Sequence, residues 1–138
     1  MASFLDTNIL IYAVGLETAN ARKIEIANAL LDGGACVLSV QTLQEFFAQA
    51  TRPSRKTPLP AKDAADFVVG WTRFTIIENT TAVLQHALAL TLQHRFSLWD
   101  ASIIAAAIAG GCDVLYTEDM QHGREVEGVR IVNPFLGA

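Results

Sequence analysis

The chain has 138 residues, 51% of them hydrophobic and 17% charged, and carries a net charge of −4 from 10 Lys and Arg against 14 Asp and Glu. That length suits one domain with a real core, and that balance excludes a disordered chain. The acidic excess argues against a plain nucleic-acid-binding module, which carries a basic surplus, yet it is compatible with an enzyme whose divalent cations reverse the local field.

Residues 1–138 read as a single domain, with no linker, internal repeat or low-complexity tract. The N-terminus lacks a basic flank leading into a long apolar region, and no apolar run is long enough to span a bilayer. A cytoplasmic protein with no membrane association is expected. Cys36 and Cys112 lie in separate strand-like runs and form no CxxC pair, so two buried free thiols in a reducing compartment are expected.

Taken in order, the short apolar run Ala2 to Leu5 ends in a carboxylate, Asp6, and apolar residues resume at once from Ile9 to Tyr12. This predicts a buried strand, a tight exit and a helix over 8–14. A second helix is predicted over 19–31, stopped by Gly33-Gly34, and a second strand over 35–38. Ser39 offers a cap for a helix over 40–51 that presents Val40, Leu43, Phe46, Phe47 and Ala50 on one face and Glu45 away from it. Pro53, Pro58 and Pro60 break the pattern in a loop carrying Arg52, Arg55 and Lys56.

A helix over 61–73 is expected to bury Ala65, Val68, Val69 and Trp71, followed by a third strand over 74–77. Thr80 or Thr81 caps a long helix reaching His94, lined by Val83, Leu84, Ala87, Leu88 and Leu92. Ser97 and Asp100 have capping-box spacing, and the Ala- and Ile-rich run that follows predicts a helix buried on more than one side. A fourth strand covers 114–116, ahead of Thr117-Glu118-Asp119, and a fifth covers 129–132. Strands alternating with helices of roughly 10–15 residues imply an α/β fold, a three-layer α/β/α sandwich around a mainly parallel five-stranded sheet.

Four acids fall where such a sheet gathers ligands. Asp6 and Asp119 follow strands, and Glu45 and Asp100 lie near helix starts, which open on the same edge as strand C-termini. Each has a plainer reading when taken alone: Asp6 as a helix cap, Glu45 as a solvated helix acid, Asp100 as half of a capping box, Asp119 as a turn residue. Asp100, however, falls between Ile104 and Ala107 on an apolar helix face, where an unpaired charge is costly. Crowded carboxylates without Cys or His suit Mg²⁺ or Mn²⁺ better than zinc, and two such ions about 4 Å apart can drive phosphodiester cleavage. His86, His94 and His122 are scattered and read as surface or packing residues.

With these residues in hand, the chain resembles the PIN-domain nucleases, and most of all the VapC toxins of bacterial toxin–antitoxin pairs. The resemblance runs from Phe4 to about Pro134 on Leu5-Asp6-Thr7-Asn8, Glu45, Ser97-Leu98-Trp99-Asp100-Ala101 and Leu115-Tyr116-Thr117-Glu118-Asp119. It implies a Mg²⁺- or Mn²⁺-dependent endoribonuclease whose catalytic and metal-binding acids are Asp6, Glu45, Asp100 and Asp119. Asn8 and Thr117 match supporting polar positions; Glu118 matches a variable one and stays outside the primary site. The resemblance also implies a homodimer, an RNA substrate and a small cognate antitoxin, with a PIN-domain RNA-processing nuclease that has no antitoxin as the alternative. Arg52, Arg55 and Lys56 are candidate RNA contacts, because phosphates must meet the few basic groups of an acidic domain.

Two readings of other classes are weaker. A phospho-accepting signalling domain needs a lysine at the end of its last strand, and 129–134 has none. A catalytically silent interaction domain has no reason to keep all four acids.

Overall fold

The structure, a computed structural model, describes residues 2–16 and 20–138. Strand β1 (Ser3–Leu5) leads through Asp6 into helix α1 (Thr7–Ala13), and helix α2 (Ala21–Asp32) follows. The predicted start of the second helix at Ala19 lies outside the described residues. Asn20 caps α2 by accepting from the N–H groups of Arg22 and Lys23. Strand β2 (Cys36–Ser39) passes directly into α3 (Val40–Ala50), then come α4 (Ala61–Trp71), β3 (Thr75–Ile77), α5 (Thr81–His94) and α6 (Leu98–Ala109). Strands β4 (Val114–Tyr116), β5 (Glu125–Val126) and β6 (Val129–Val132) complete the chain.

The sheet runs β3-β2-β1-β4-β6-β5, parallel throughout except for β5 against β6. All five predicted strands are present, and β5 is one more. The sequence hides it because it has only two residues. It pairs Val126 with Val129 across Glu127-Gly128, both at positive φ (47° and 88°), a turn twisted to suit a tight hairpin.

Alternation along the strands divides the core into two layers. Phe4, Val37, Leu115 and Ile131 face α5 and α6, whereas Leu5, Cys36 and Leu38 face α1, α2, α3 and α4. Helix α6 buries Ala101 and every residue from Ile103 to Ala107, because it lies between the sheet and α5. The expected three-layer α/β/α sandwich is the observed one.

Two helix faces differ from expectation. On α4 the buried residues are Ala64 and Trp71, with Val68 half-buried, while Ala65 is exposed and Val69 is 69% exposed. The stripe 64–68–71 follows the helical repeat and packs on α3, where Trp71 meets the Phe46 ring edge-on at 4.7 Å. On α5 the contact stripe is Val83, Ala87 and Leu90, leaving Leu84 and Leu88 about half exposed and Leu92 84% exposed. Both helices are apolar around much of their girth, so periodicity alone could not single out the side that meets a neighbour. Cys36 and Cys112 are buried free thiols, as expected, and burial raises both thiol pKa values, that of Cys112 to about 11.

Candidate active site

Strand β1 is the centre of the sheet's connectivity. The chain leaves it toward β2 and β3 on one side and later returns to β4 on the other, so the gap beyond the C-terminal ends of β1 and β4 is a topological switch point. Leu5 is paired with Tyr116, which sets Asp6 beside Thr117 at the mouth of that gap. The Asp6 N–H donates to the Tyr116 carbonyl at 3.0 Å, extending the ladder by one bond.

Asp6 caps α1 as well as facing the gap. Its Oδ1 accepts from the Thr7 N–H at 2.7 Å, and its Oδ2 accepts from the Thr117 hydroxyl at 2.8 Å. Asn8, one residue into α1, donates from Nδ2 to Asp119 Oδ2 at 3.0 Å and to Thr117 Oγ1 at 3.2 Å, while its Oδ1 accepts from the Glu118 N–H at 3.3 Å. The single side chain thus fixes the loop after β4. Glu45 is reached from β2 through α3, whose start is fixed by Ser39 and Thr42 bonding reciprocally in a capping box. Its Oε2 accepts from the Thr7 hydroxyl at 3.1 Å and its Oε1 from Gln41 Nε2 at 2.9 Å. Asp100 enters from the first turn of α6, its N–H donating to Ser97 Oγ at 3.1 Å.

Asp6, Glu45, Asp100 and Asp119 all line one pocket of about 100 Å³, with Thr7, Asn8, Gln49, Trp99 and Ile103 completing its wall. Among the described residues, no Lys, Arg or His is in that lining. Burial raises the Asp6 carboxyl to about 6 against the pull of the Thr7 and Thr117 donors, and the charges of Glu45 and Asp119 push the same way. Asp100 is also raised, by burial first and then by Asp119 and Glu45, with Ser97 opposing. Among the described residues, no three Asp, Glu, His or Cys side chains stand as a ready-made ligand set for one ion. The donor set itself, oxygen atoms only and short of positive charge, matches the chemistry of a hard divalent cation.

The family model described as PIN domain matches residues 3–124. The chain belongs to the PIN domain family. Among solved structures, the domain is similar to a toxin–antitoxin complex from Klebsiella pneumoniae (21% identity, TM-score 0.69, covering 97% of this chain and 98% of that one). It is also similar to Mycobacterium tuberculosis VapC20, described as a sarcin-ricin loop cleaving toxin (18% identity, TM-score 0.64, 86% and 92% covered). A third is VapBC2 from Rickettsia felis bound to a DNA fragment from its promoter (18% identity, TM-score 0.66, 95% and 97% covered). At these identities the likeness is one of fold. No sequence relative was found among curated proteins.

The PIN fold brings together all four acids singled out in the sequence, and Asn8 and Thr117 bond to them directly. The basic loop divides: Arg55 is half-buried near the site, whereas Arg52 and Lys56 are exposed. The histidines stay away from the acid pocket, His86 with Glu127 and His122 accepting from the Asn133 N–H. Sequence reasoning passed over Thr7, whose hydroxyl holds Glu45, and the pairing of Tyr12 and Lys23 with Glu118, an acid it had weighed and set outside the primary site. In that trio Glu118 accepts from the Tyr12 hydroxyl at 2.7 Å and from Lys23 Nζ at 2.7 Å. A threonine opening a helix next to a candidate acid was the available signal for Thr7. Nothing local links Lys23 to Glu118, 95 residues on.

Proposed function

We propose that this PIN domain is a Mg²⁺- or Mn²⁺-dependent endoribonuclease, the toxin of a toxin–antitoxin pair. The observation that carries the reading is the pocket of four carboxylates, drawn from four separate stretches of chain and lined by no cation. Like charges gathered in one place favour protonation unless a cation offsets them. Asp6, Glu45, Asp100 and Asp119 would hold the metal, which when bound supplies an activated water and a Lewis acid for a phosphodiester.

The chain's own residues prepare that site. Thr7 and Thr117 fix both oxygens of Asp6, so the carboxylate cannot turn away, and Asn8 ties Asp119 to the same lattice of hydrogen bonds. Thr7 and Gln41 hold one oxygen each of Glu45. Trp99 and Ile103 supply the apolar part of the wall. Such pre-set geometry lowers the reorganisation needed when substrate arrives.

An antitoxin partner is supported by the similar structures, several of which are toxin–antitoxin complexes. A homodimer is supported by exposed apolar side chains, Phe67 and Val69 on α4 and Leu84, Leu88 and Leu92 on α5. Helix α2 carries none of the large exposed hydrophobic residues. Among the described residues no helix is long and apolar enough to cross a membrane.

The test is cleavage of RNA by the purified protein with Mg²⁺, with Mn²⁺ and with EDTA, beside the variants D6N and D100N. Metal-dependent cutting that both variants lose by at least about a hundred-fold supports the reading, in keeping with loss of a metal-ion or transition-state contact. Cutting that persists in EDTA, or in both variants, overturns it. Growth arrest on expression, relieved by co-expressing a neighbouring small gene, tests the toxin role separately.

A further inference from the structure

Beyond the C-terminal ends of β2 and β3 opens a second pocket, of about 430 Å³, beside the acid pocket that lies beyond β1 and β4. Ser39 closes β2 there, and Asn79, Thr80 and Thr81 carry the chain from β3 into α5. The two pockets meet at the starts of α3 and α6. Trp99 lines both. Gln41, in the second, donates from Nε2 to Glu45 Oε1 at 2.9 Å and to the Trp99 carbonyl at 3.4 Å, so it stands at the boundary.

The chemistry changes across that boundary. Four carboxylates line the first pocket, whereas among the described residues no charged side chain lines the second. Val83, Leu98 and Ala106 give it an apolar wall. Gln44 and Asn79 are exposed, and their side-chain amides make no hydrogen bond among the described residues. Trp99 is 67% exposed, although tryptophan is highly buried on average. A nucleotide beside a cluster of carboxylates has one part that needs no counter-charge, its base. Bases are flat and neutral, stack on aromatic rings, and offer donors and acceptors along their edges that amides match.

We infer that the second pocket is a nucleobase subsite for single-stranded RNA whose phosphodiester lies at the acids, with Trp99 as the stacking residue and Gln44 and Asn79 as the amides that meet the base edge. The inference rests on the nuclease reading for the identity of the strand, and it gives that site a hold on a nucleotide that needs no basic side chain. Trp99 precedes Asp100 in the first turn of α6, so a base stacked on it fixes the strand next to the reacting phosphate. The competing occupant is a second copy of the chain, since Leu84 in the same lining is also exposed. The unengaged amides and the wall shared with the acids favour the base.

The test separates base from backbone. Two fluorescein-labelled probes are titrated at constant Mg²⁺ and followed by anisotropy: a mixed-sequence single-stranded RNA of twelve nucleotides, and an oligomer of the same length and charge made of abasic tetrahydrofuran units. The protein is full-length D6N, which the nuclease reading makes inactive and which keeps Trp99 and Asp100. On that background W99A is expected to weaken RNA binding on the order of ten-fold, the loss of one base–aromatic stack. Its salt slope for RNA and its affinity for the abasic oligomer should be unchanged, because no phosphate contact is removed. W99F should keep most of the RNA affinity, and Q44A combined with N79A should lose about five-fold for RNA alone, as for one or two hydrogen bonds. Trp99 also reports directly, because Trp71 is buried. Unlabelled RNA, and not the abasic oligomer, should quench the red edge of tryptophan emission, and W99F should abolish that signal. This readout stands even if W99A does not fold.

Equal affinities for the two probes, RNA binding unchanged in W99A, absence of quenching, or no measurable RNA binding at low salt would each overturn the subsite. So would a W99A protein that binds RNA as before but sediments as monomer where the unaltered protein is a dimer, which would make this face a contact between copies. Base-dependent binding lost in W99A, in a protein that cuts no RNA with any metal, leaves the subsite standing and removes the nuclease reading. Metal-dependent cleavage whose KM is indifferent to W99A does the reverse.

Discussion

Asp6 is buried, and its carboxyl is raised from 3.8 to about 6 by burial and by the neighbouring charges of Glu45 and Asp119. A carboxyl raised on folding makes its ionised form a burden on the native state. The penalty is absent below about pH 4, grows as pH rises toward 6, and is complete above it, on the order of 3 kcal/mol. The metal-free D6N protein is therefore expected to be the more stable one at pH 7 and to lose that advantage by pH 4, as read by urea midpoints in EDTA. Added Mg²⁺ should stabilise the unaltered protein in proportion to the logarithm of its concentration and leave D6N nearly unmoved. Equal stability of the two proteins at pH 7 in EDTA would show that Asp6 carries no such burden. Asp100 separates the same two roles differently. Its N–H donates to Ser97 Oγ, and the bond of Ser97 to its carboxyl is one an amide oxygen can still accept, so D100N should change stability by at most about 1 kcal/mol. Its RNA cleavage should nonetheless be nearly abolished; wild-type cleavage rates would leave only the structural role.

At the scale of elements, the structure around the site depends on how one helix begins and another ends. Ser39 closes β2 and caps α3, and both Ser39 and Thr42 are buried, so water cannot replace their bonds. Ser39→Ala should cost about 1–2 kcal/mol in unfolding free energy through the lost cap. Because α3 carries Glu45, metal affinity read by calorimetry should fall as well. At the far end of α6, Gly110 sits against the sheet: a Cβ there would meet Val37 Cγ1 at 2.9 Å and Ile77 Cδ1 at 3.3 Å. Its backbone angle is ordinary (φ −80°), so the glycine is required by closeness and not by conformation. Gly110→Ala should destabilise by about 1–3 kcal/mol through overpacking. A melting temperature equal to that of the unaltered protein would mean that Val37 and Ile77 give way freely.

For the whole molecule, the apolar surface left by α4 and α5 meets the argument for a homodimer. Val69 is 69% exposed, so Val69→Glu should leave the stability of the single chain within about 0.5 kcal/mol. If α4 lies in a closed two-fold interface, the same change places a like charge on both copies and should shift sedimentation toward monomer. An unaltered dimer would move the interface away from α4, with the leucines of α5 next to be tested. The sheet's order places the acids at one end of the molecule by a single rule, that connections reverse direction on either side of β1.

Much of this was fixed by local sequence. The five longer strands, the caps at Ser39, Thr80 and Ser97, and the burial of α6 follow from period, capping chemistry and composition, which act over a few residues. Asp6 and Asp119 were legible as candidates because each follows an apolar strand, and Asp100 because it lies on an apolar helix face; Glu45, on the other side of its helix from the apolar residues, reads as a solvated acid when taken alone. Tertiary structure decided which sides of α4 and α5 turn inward, because those helices are apolar around most of their surface and only a packing partner can choose between sides. It also paired Thr7 with Glu45, Asn8 with Asp119, and Lys23 with Glu118, across 38, 111 and 95 residues. No local preference spans such separations. They are set by the order of strands in the sheet, and with them the gathering of four carboxylates in one pocket.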